Sequence, residues 1–166
     1  QKEDGLARHV GRQEENQRDL GRGQMNDPSA AMQVAIYSRL TSHAAMLAAF
    51  GGPVRAYDKT PGPKPEYPYL RIGDDQILPR SNACMDGWDC VVTIHIFSQH
   101  AQRPRMQVKE ISDAILQAIA TAATPPTPAG YAIKSLELGQ ARTYFEADGI
   151  TAHGVLTVEY LVRPSA

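Results

Sequence analysis

The chain has 166 residues, 42% of them hydrophobic, and a formal net charge of −1. That length supports one domain with its own core, since a chain of about 150 residues buries roughly 70% of its unfolded surface. The charge balance argues against a dedicated nucleic-acid binder and against a polybasic membrane anchor, and no apolar run approaches the roughly 18 residues of a spanning helix.

Residues 1–26 differ from the rest. Gln1 to Gln24 is rich in Arg, Glu, Gln and Gly, with only isolated apolar residues such as Leu6, Val10 and Leu20. Such a stretch buries too little surface to offset its ordering entropy, so a disordered extension is expected. The first residues carry no apolar stretch of signal-peptide type. Gly21-Arg22-Gly23-Gln24, just before Met25, can be encoded by purine-rich codons, as in a translated ribosome-binding site. The hypothesis is a natural start at Met25 with a non-native extension before it. A full-length intact mass for protein from its native source would sink it. Residues 27–166 then form a single α+β domain.

Asp27-Pro28-Ser29 is a helix start, with Asp27 capping free N–H groups and Pro28 in the first turn. Met32, Ile36 and Leu40 follow at helical spacing. Ser42 is the expected cap of a second short helix, Ala44 to Phe50, burying Leu47 and Phe50 and stopped by Gly51-Gly52. Val54 to Tyr57 is a short strand. Residues 60–68 hold four prolines and read as an extended surface loop. Tyr69 to Gly73 alternates as a strand extending toward Leu78, and Pro79 to Asp86 reads as a turn-rich loop. Tyr67 and Tyr69 flank Pro68 and are expected to pack.

The organising stretch is Gly87 to Ala123, a long strand feeding a long helix. Trp88, Cys90, Val92, Ile94 and Ile96 share an apolar face that should meet the core. Asp89, Val91, Thr93, His95 and Phe97 share a mixed face, half-exposed in an antiparallel sheet, which makes His95 a surface or interface histidine. After a polar break and Pro104, Val108, Ile111, Ile115 and Ile119 form a helical stripe that must lie on the sheet, with Ala118 and Ala122 adjoining. Arg103, Arg105 and Lys109 cluster at the helix start, where the dipole does not favour them.

Tyr131 to Phe145 is a broken alternation with Ile133, Leu136 and Leu138. Asp148-Gly149 signals a hairpin turn through positive φ angles. Thr151 to Arg163 pairs back, with Leu156, Val158, Tyr160 and Val162 on one face. The fold class is α+β, a mainly antiparallel twisted sheet of four to five strands with two main helices on one face. Whether the helical crossover joins parallel strands stays open.

No phosphate-binding loop, dinucleotide fingerprint, His-Glu-x-x-His or Cys-x-x-Cys occurs. Histidines 9, 43, 95, 100 and 153 are scattered, and Cys84 and Cys90 are too few for a disulfide framework or zinc site. Asp74-Asp75 and the pair Asp86 and Asp89 read as solvated acids. No catalytic, cofactor or metal site is expected, and a reducing compartment is the simplest setting.

From Asp27 to Pro164 the segments resemble the tail terminator, or tail-completion, proteins of long flexible-tailed bacteriophages and gene transfer agents. The carrying segments are Ala35 to Leu40, Val54 to Asp58 with the proline-bearing loop, Tyr67 to Gly73, Ile96-Phe97-Ser98 with the helix after it, and His153 to Val158. Family members often carry a Trp-Ser pair where Phe97-Ser98 stands.

The resemblance implies a structural virion protein of the tail or neck, assembled in the bacterial cytoplasm, without catalysis, cofactor or membrane. It implies a homo-oligomeric ring, a hexamer, that caps the tail tube and ends its growth. Partners would be the tail tube protein and the head–tail connector or stopper, with DNA passing through the bore without specific binding. The alternatives are another neck component, an adaptor or stopper, or a small-molecule-binding or enzymatic α+β domain. Under the ring reading, Thr93, His95, Phe97, Arg103 and Arg105 are the candidate interface residues. Sheet edges and loops 60–68, 79–87 and 146–151 are further candidates.

Overall fold

Helical spacing in the first third and alternation in the rest resolve into eight elements among the described residues. These are α1 (Ser29–Ser42), α2 (Ala44–Phe50), β1 (Ala56–Tyr57), β2 (Tyr69–Asn82), β3 (Met85–Ser98), α3 (Pro104–Ile119), β4 (Tyr131–Phe145) and β5 (Ala152–Pro164). The structure, a computed structural model, describes residues 26–82, 85–121 and 124–165. The expected extension over residues 1–25, Cys84, and the Ala122–Ala123 end of the helical stripe lie outside them.

The five strands form one sheet in the order β1-β2-β3-β5-β4. All neighbours are antiparallel except β1 and β2, which pair through Ala56↔Leu70 and Tyr57↔Arg71. β5 is antiparallel to both its neighbours, so β3 and β4 run in the same direction with β5 between them. The α3 crossover therefore joins parallel strands two positions apart, and the hairpin return of β5 fills the gap.

The core lies between this sheet and the helices. Ile36 and Leu40 of α1, Val108, Ile111, Ile115 and Ile119 of α3, and Ile94, Ile96, Val158 and Val162 of the sheet are all fully buried. The apolar set from Trp88 to Ile96 is part of it, with Trp88 only half-buried. Each large aliphatic side chain placed there contributes about 1.5–3 kcal/mol over its exposed state. The three α3 isoleucines alone are therefore a large fraction of the stability of a domain this size.

Four local expectations change. Asp27 accepts from the Ser29 N–H at 2.8 Å and so satisfies one free donor at the start of α1, where Pro28 holds the N-cap position. The cap of α2, however, is His43, whose Nδ1 accepts from Ala45 N–H, while the Ser42 hydroxyl donates back to the Ser38 carbonyl. His43 is extended, at ψ 135°, and this resets the helical phase. Met46 then faces the core, Phe50 packs at its margin and Leu47 turns outward.

Residues 79–82, 85 and 86 are not a loop. β2 and β3 stay paired from Tyr69↔Phe97 to Asn82↔Met85. Pro79 is tolerated because β2 has no strand on its outer side there among the described residues, so no N–H is missed.

In the β4–β5 turn only Gly149 has positive φ, at 70°. Asp148 instead caps the turn, its carboxylate accepting from the N–H groups of Ile150 and Thr151 and from the Thr151 hydroxyl. Those bonds hold its pKa below the usual carboxylate value.

The Tyr160 hydroxyl is buried without a partner among the described residues. A buried hydroxyl left unpaired costs about 1–3 kcal/mol. Tyr160→Phe is therefore expected to leave unfolding free energy unchanged or raised in urea titrations. A loss above about 1 kcal/mol would show that the hydroxyl is bonded after all.

Candidate functional site

With the helices on one side, the opposite face of the sheet carries the alternate side chains. Across one end of it four strands contribute one residue each at matched register: Tyr69 of β2 opposite Phe97 of β3, Phe97 opposite His153 of β5, and His153 opposite Tyr144 of β4. Their rings touch in sequence, with centroids 4.7 Å apart for Tyr69–Phe97, 4.2 Å for Phe97–His153 and 4.9 Å for Tyr144–His153. Tyr57 and Tyr67 extend the row beyond Tyr69, at 6.0 and 5.3 Å. Cross-strand aromatic pairs of this kind each contribute about 0.5–1 kcal/mol beyond burial. The row buries Tyr69 to 4% exposure, and that burial pushes its phenol up to about 12.

One row further along, His95 lies behind the aromatic ridge at 8% exposure, beside His153 at 7%. The expectation of a surface histidine does not hold: the Phe97 ring on its own strand and the His153 ring on β5 pack against it. His95 Nδ1 meets His153 Nε2 at 2.9 Å, and His95 Nε2 meets the Asp74 carboxylate at 3.1 Å. His153 Nδ1 is hydrogen-bonded to the Glu146 carboxylate. Asp74 is the extra residue of a bulge between Gly73 and Asp75, at φ 56°, which turns its side chain toward His95. Asp74 is thus no merely solvated acid.

The five candidate residues do not converge. Thr93, His95 and Phe97 share the open face. Arg103 and Arg105 stand at the start of α3, on the helix side. Arg103 is paired with Glu110 at 2.7 Å. The Arg105 guanidinium lies over Phe145, 5.4 Å from the ring centroid, and reaches the Thr143 carbonyl at 3.4 Å. Arg103 and Arg105 thus have partners within the chain. Sequence reasoning missed Asp74, Tyr144, Glu146 and His153 as neighbours of His95 and Phe97. The parity of His153 along β5 would have put it on the open face, but only strand register brings it to Phe97.

Apolar surface remains exposed at both margins of the sheet. At the β1 margin, Val34 and Tyr37 of α1 line a groove of about 500 Å³ with Tyr57 and Ile72. Val34 is 66% exposed. At the β4 margin, Leu138, Tyr144, Phe145 and Ile150 are exposed, Ile150 to 62%. Among the described residues no helix is long and apolar enough to cross a membrane.

A family model described as tail completion protein gp17 matches residues 34–163, most of the folded chain. The chain belongs to the tail completion protein gp17 family. The tail completion protein gp17 of Bacillus phage SPP1 is 25% identical over 135 residues, covering 81% of this chain and 94% of that protein. Two solved structures share the fold. A chain in the virion of a native gene transfer agent particle superposes with a TM-score of 0.68 at 20% identity, covering 81% of this chain and 96% of its own. The structure of SPP1 gp17 superposes with a TM-score of 0.52 at 23% identity, covering 83% and 94%. The resemblance carried by the α1, β2 and β5 segments is thereby borne out. The gp17-family chain described here is a structural component of a phage-type tail.

Proposed function

We propose that the protein forms a homo-oligomeric ring, six subunits closed by a heterologous contact, that caps the tail tube. One ring face ends tube polymerisation and the other receives the head-side connector or stopper; the reading includes no catalytic step. The observation that carries it is the pair of unlike apolar patches at opposite margins of the sheet, the Val34–Tyr37–Tyr57 groove and the Tyr144–Phe145–Ile150 surface. A closed ring of more than two subunits in which each contacts the next needs two different, mutually complementary patches on each subunit, and it places them on opposite flanks.

The register also sorts the candidate loops. Loop 60–68 enters β2 and turn 146–151 joins β4 to β5, both at the Phe97 end of the sheet, whereas the β2–β3 hairpin tip is at the other. In a ring these ends become the two faces, one for the tube and one for the connector. Thr93, His95, Phe97, Arg103 and Arg105 remain proposed neighbour contacts at or near the first end. The near-zero net charge suits a bore through which DNA slides without being gripped.

Electron microscopy of the purified protein with tail tubes should show rings seated on tube ends. A strict monomer that never associates with tubes would overturn the reading. Val34→Asp and Ile150→Asp each place a charge in a proposed apolar contact, which should raise the concentration needed for rings at least about ten-fold, equivalent to about 1.4 kcal/mol. Both positions are exposed in the monomer, so melting should move little. Arg105→Ala should weaken ring formation more mildly. Unchanged assembly in all three variants would remove both margins from the interface.

A further inference from the structure

Asp74, His95, His153 and Glu146 form an unbroken line of three contacts, carboxylate to imidazole to imidazole to carboxylate. The line crosses the sheet from the β2 bulge to the end of β4. Every hydrogen bond needs one proton between its two heavy atoms, so three contacts need three. Two neutral imidazoles supply one each, and ionised carboxylates supply none. With only two protons, one contact must bring two lone pairs together. That would occur either between the two rings, 2.9 Å apart, or between a bare ring nitrogen and a carboxylate oxygen. Either is repulsive, and more so in a buried setting.

We propose that these four side chains bind one proton beyond those of two neutral imidazoles, and that this proton decides whether the β2 bulge is tied to β3 and β5. With it, the pair carries one imidazolium between two carboxylates and all three bonds form. Without it, the arrangement that keeps most bonds has His153 Nδ1–H donating to Glu146 and His95 Nδ1–H donating to His153. His95 Nε2 is then bare, and the Asp74 carboxylate turns away. Asp74 is the free end for a structural reason: its side chain is 72% exposed and already within 3.4 Å of the Arg71 guanidinium, which can take it over.

The surroundings fit a single extra charge and no second one. Facing the rings are Arg71 and Asp74 from β2, Phe97 in the aromatic row, and Tyr144 and Glu146 from β4 and its turn. Arg142 stands one row away, opposite Val155. Burial lowers the pKa of both histidines, while the bond to Asp74 raises that of His95 and the bond to Glu146 raises that of His153. The first proton satisfies all three contacts and lies between two negative groups. A further proton would put a second charge in a desolvated site beside the first and would break the ring-to-ring bond. Every group of the line belongs to one chain.

The test is a nitrogen-15 titration of the histidine rings in the folded full chain, from about pH 5 to 8, where histidine changes charge. On the low-pH side three of the four nitrogens of His95 and His153 should be protonated, and one proton should be lost in a single step shared by both rings. Asp74→Asn is the decisive variant. Its amide tolerates the left-handed backbone and can donate to a bare His95 Nε2, so the extra proton is no longer needed. The step should move to lower pH by about one unit. Asp75→Asn, at the neighbouring position outside the line, should leave the step in place. Two protonated nitrogens throughout the range would overturn the proposal, as would a step unmoved in the Asp74 variant. So would two separate steps, each confined to one ring.

Discussion

Ile115→Ala is expected to lower the unfolding free energy by about 3–4 kcal/mol, within the range for truncating a fully buried isoleucine. Ile115 has no exposed surface and sits in the second half of α3, between Ile111 and Ile119, which are equally buried. α3 packs on α2, on α1 and on the central strands β3 and β5, so the lost methyl groups leave a hole walled from several sides. Such a site collapses poorly, and the cavity cost adds to the lost transfer free energy. Urea denaturation measures it, read as a fall in midpoint at constant slope. Ile150→Ala, at a 62% exposed position in the turn, should change stability by no more than about 0.5 kcal/mol. A loss below about 1 kcal/mol at Ile115 would mean that α3 does not pack on the sheet as described.

Gly154→Val is the second large effect, with an expected loss of about 3 kcal/mol or more. Glycine in a strand interior normally weakens it, so its presence in central β5 needs a reason. The reason is α3. A Cβ at position 154 would stand 2.5 Å from Val108 Cγ1 and 3.4 Å from Ile96 Cβ. Valine at 154 must therefore lift the start of α3 off the sheet or displace Ile96 from its place in the core. Gly154→Ala should cost less, about 1–2 kcal/mol, because Val108 alone has to give way. Gly73→Ala is the contrast: a Cβ there meets nothing within 4 Å, and stability should hold to about 0.5 kcal/mol. Equal melting temperatures for the Gly154 and Gly73 variants would contradict the α3–β5 contact. An assembly assay on Gly154→Val has no bearing on the ring reading, because the folded subunit is itself compromised.

The same contact shows how unevenly the chain could be read. The isoleucine stripe of α3 and the alternation from Trp88 to Ile96 named their own buried faces, because period and hydrophobicity are local properties. Both faces are buried against each other. The segment from Pro79 to Asp86 misled because proline and polar residues usually mean a turn. Its described residues are paired strand, with no strand on the outer side of β2 there among the described residues, and such an open edge excuses both. His95 misled for the opposite reason. Its own strand predicts a half-exposed position, and its burial comes with the Phe97 ring of its own strand, the His153 ring of β5 and the Asp74 carboxylate of β2.

The sequence by itself determined the elements, the α+β class, the core faces of α1, α3, β3 and β5, and, through the order of its segments, the family. Local spacing and turn chemistry suffice for these, because each depends on residues within a few positions of one another. Only the tertiary structure decided the strand order, with β5 between β3 and β4, and the meeting of His95 with His153, 58 residues apart. Register across a sheet is set by burying many side chains at once. A one-residue slip would turn β5 over and expose Val158 and Val162, so the collective cost of that error, and no local signal, places His153 beside His95.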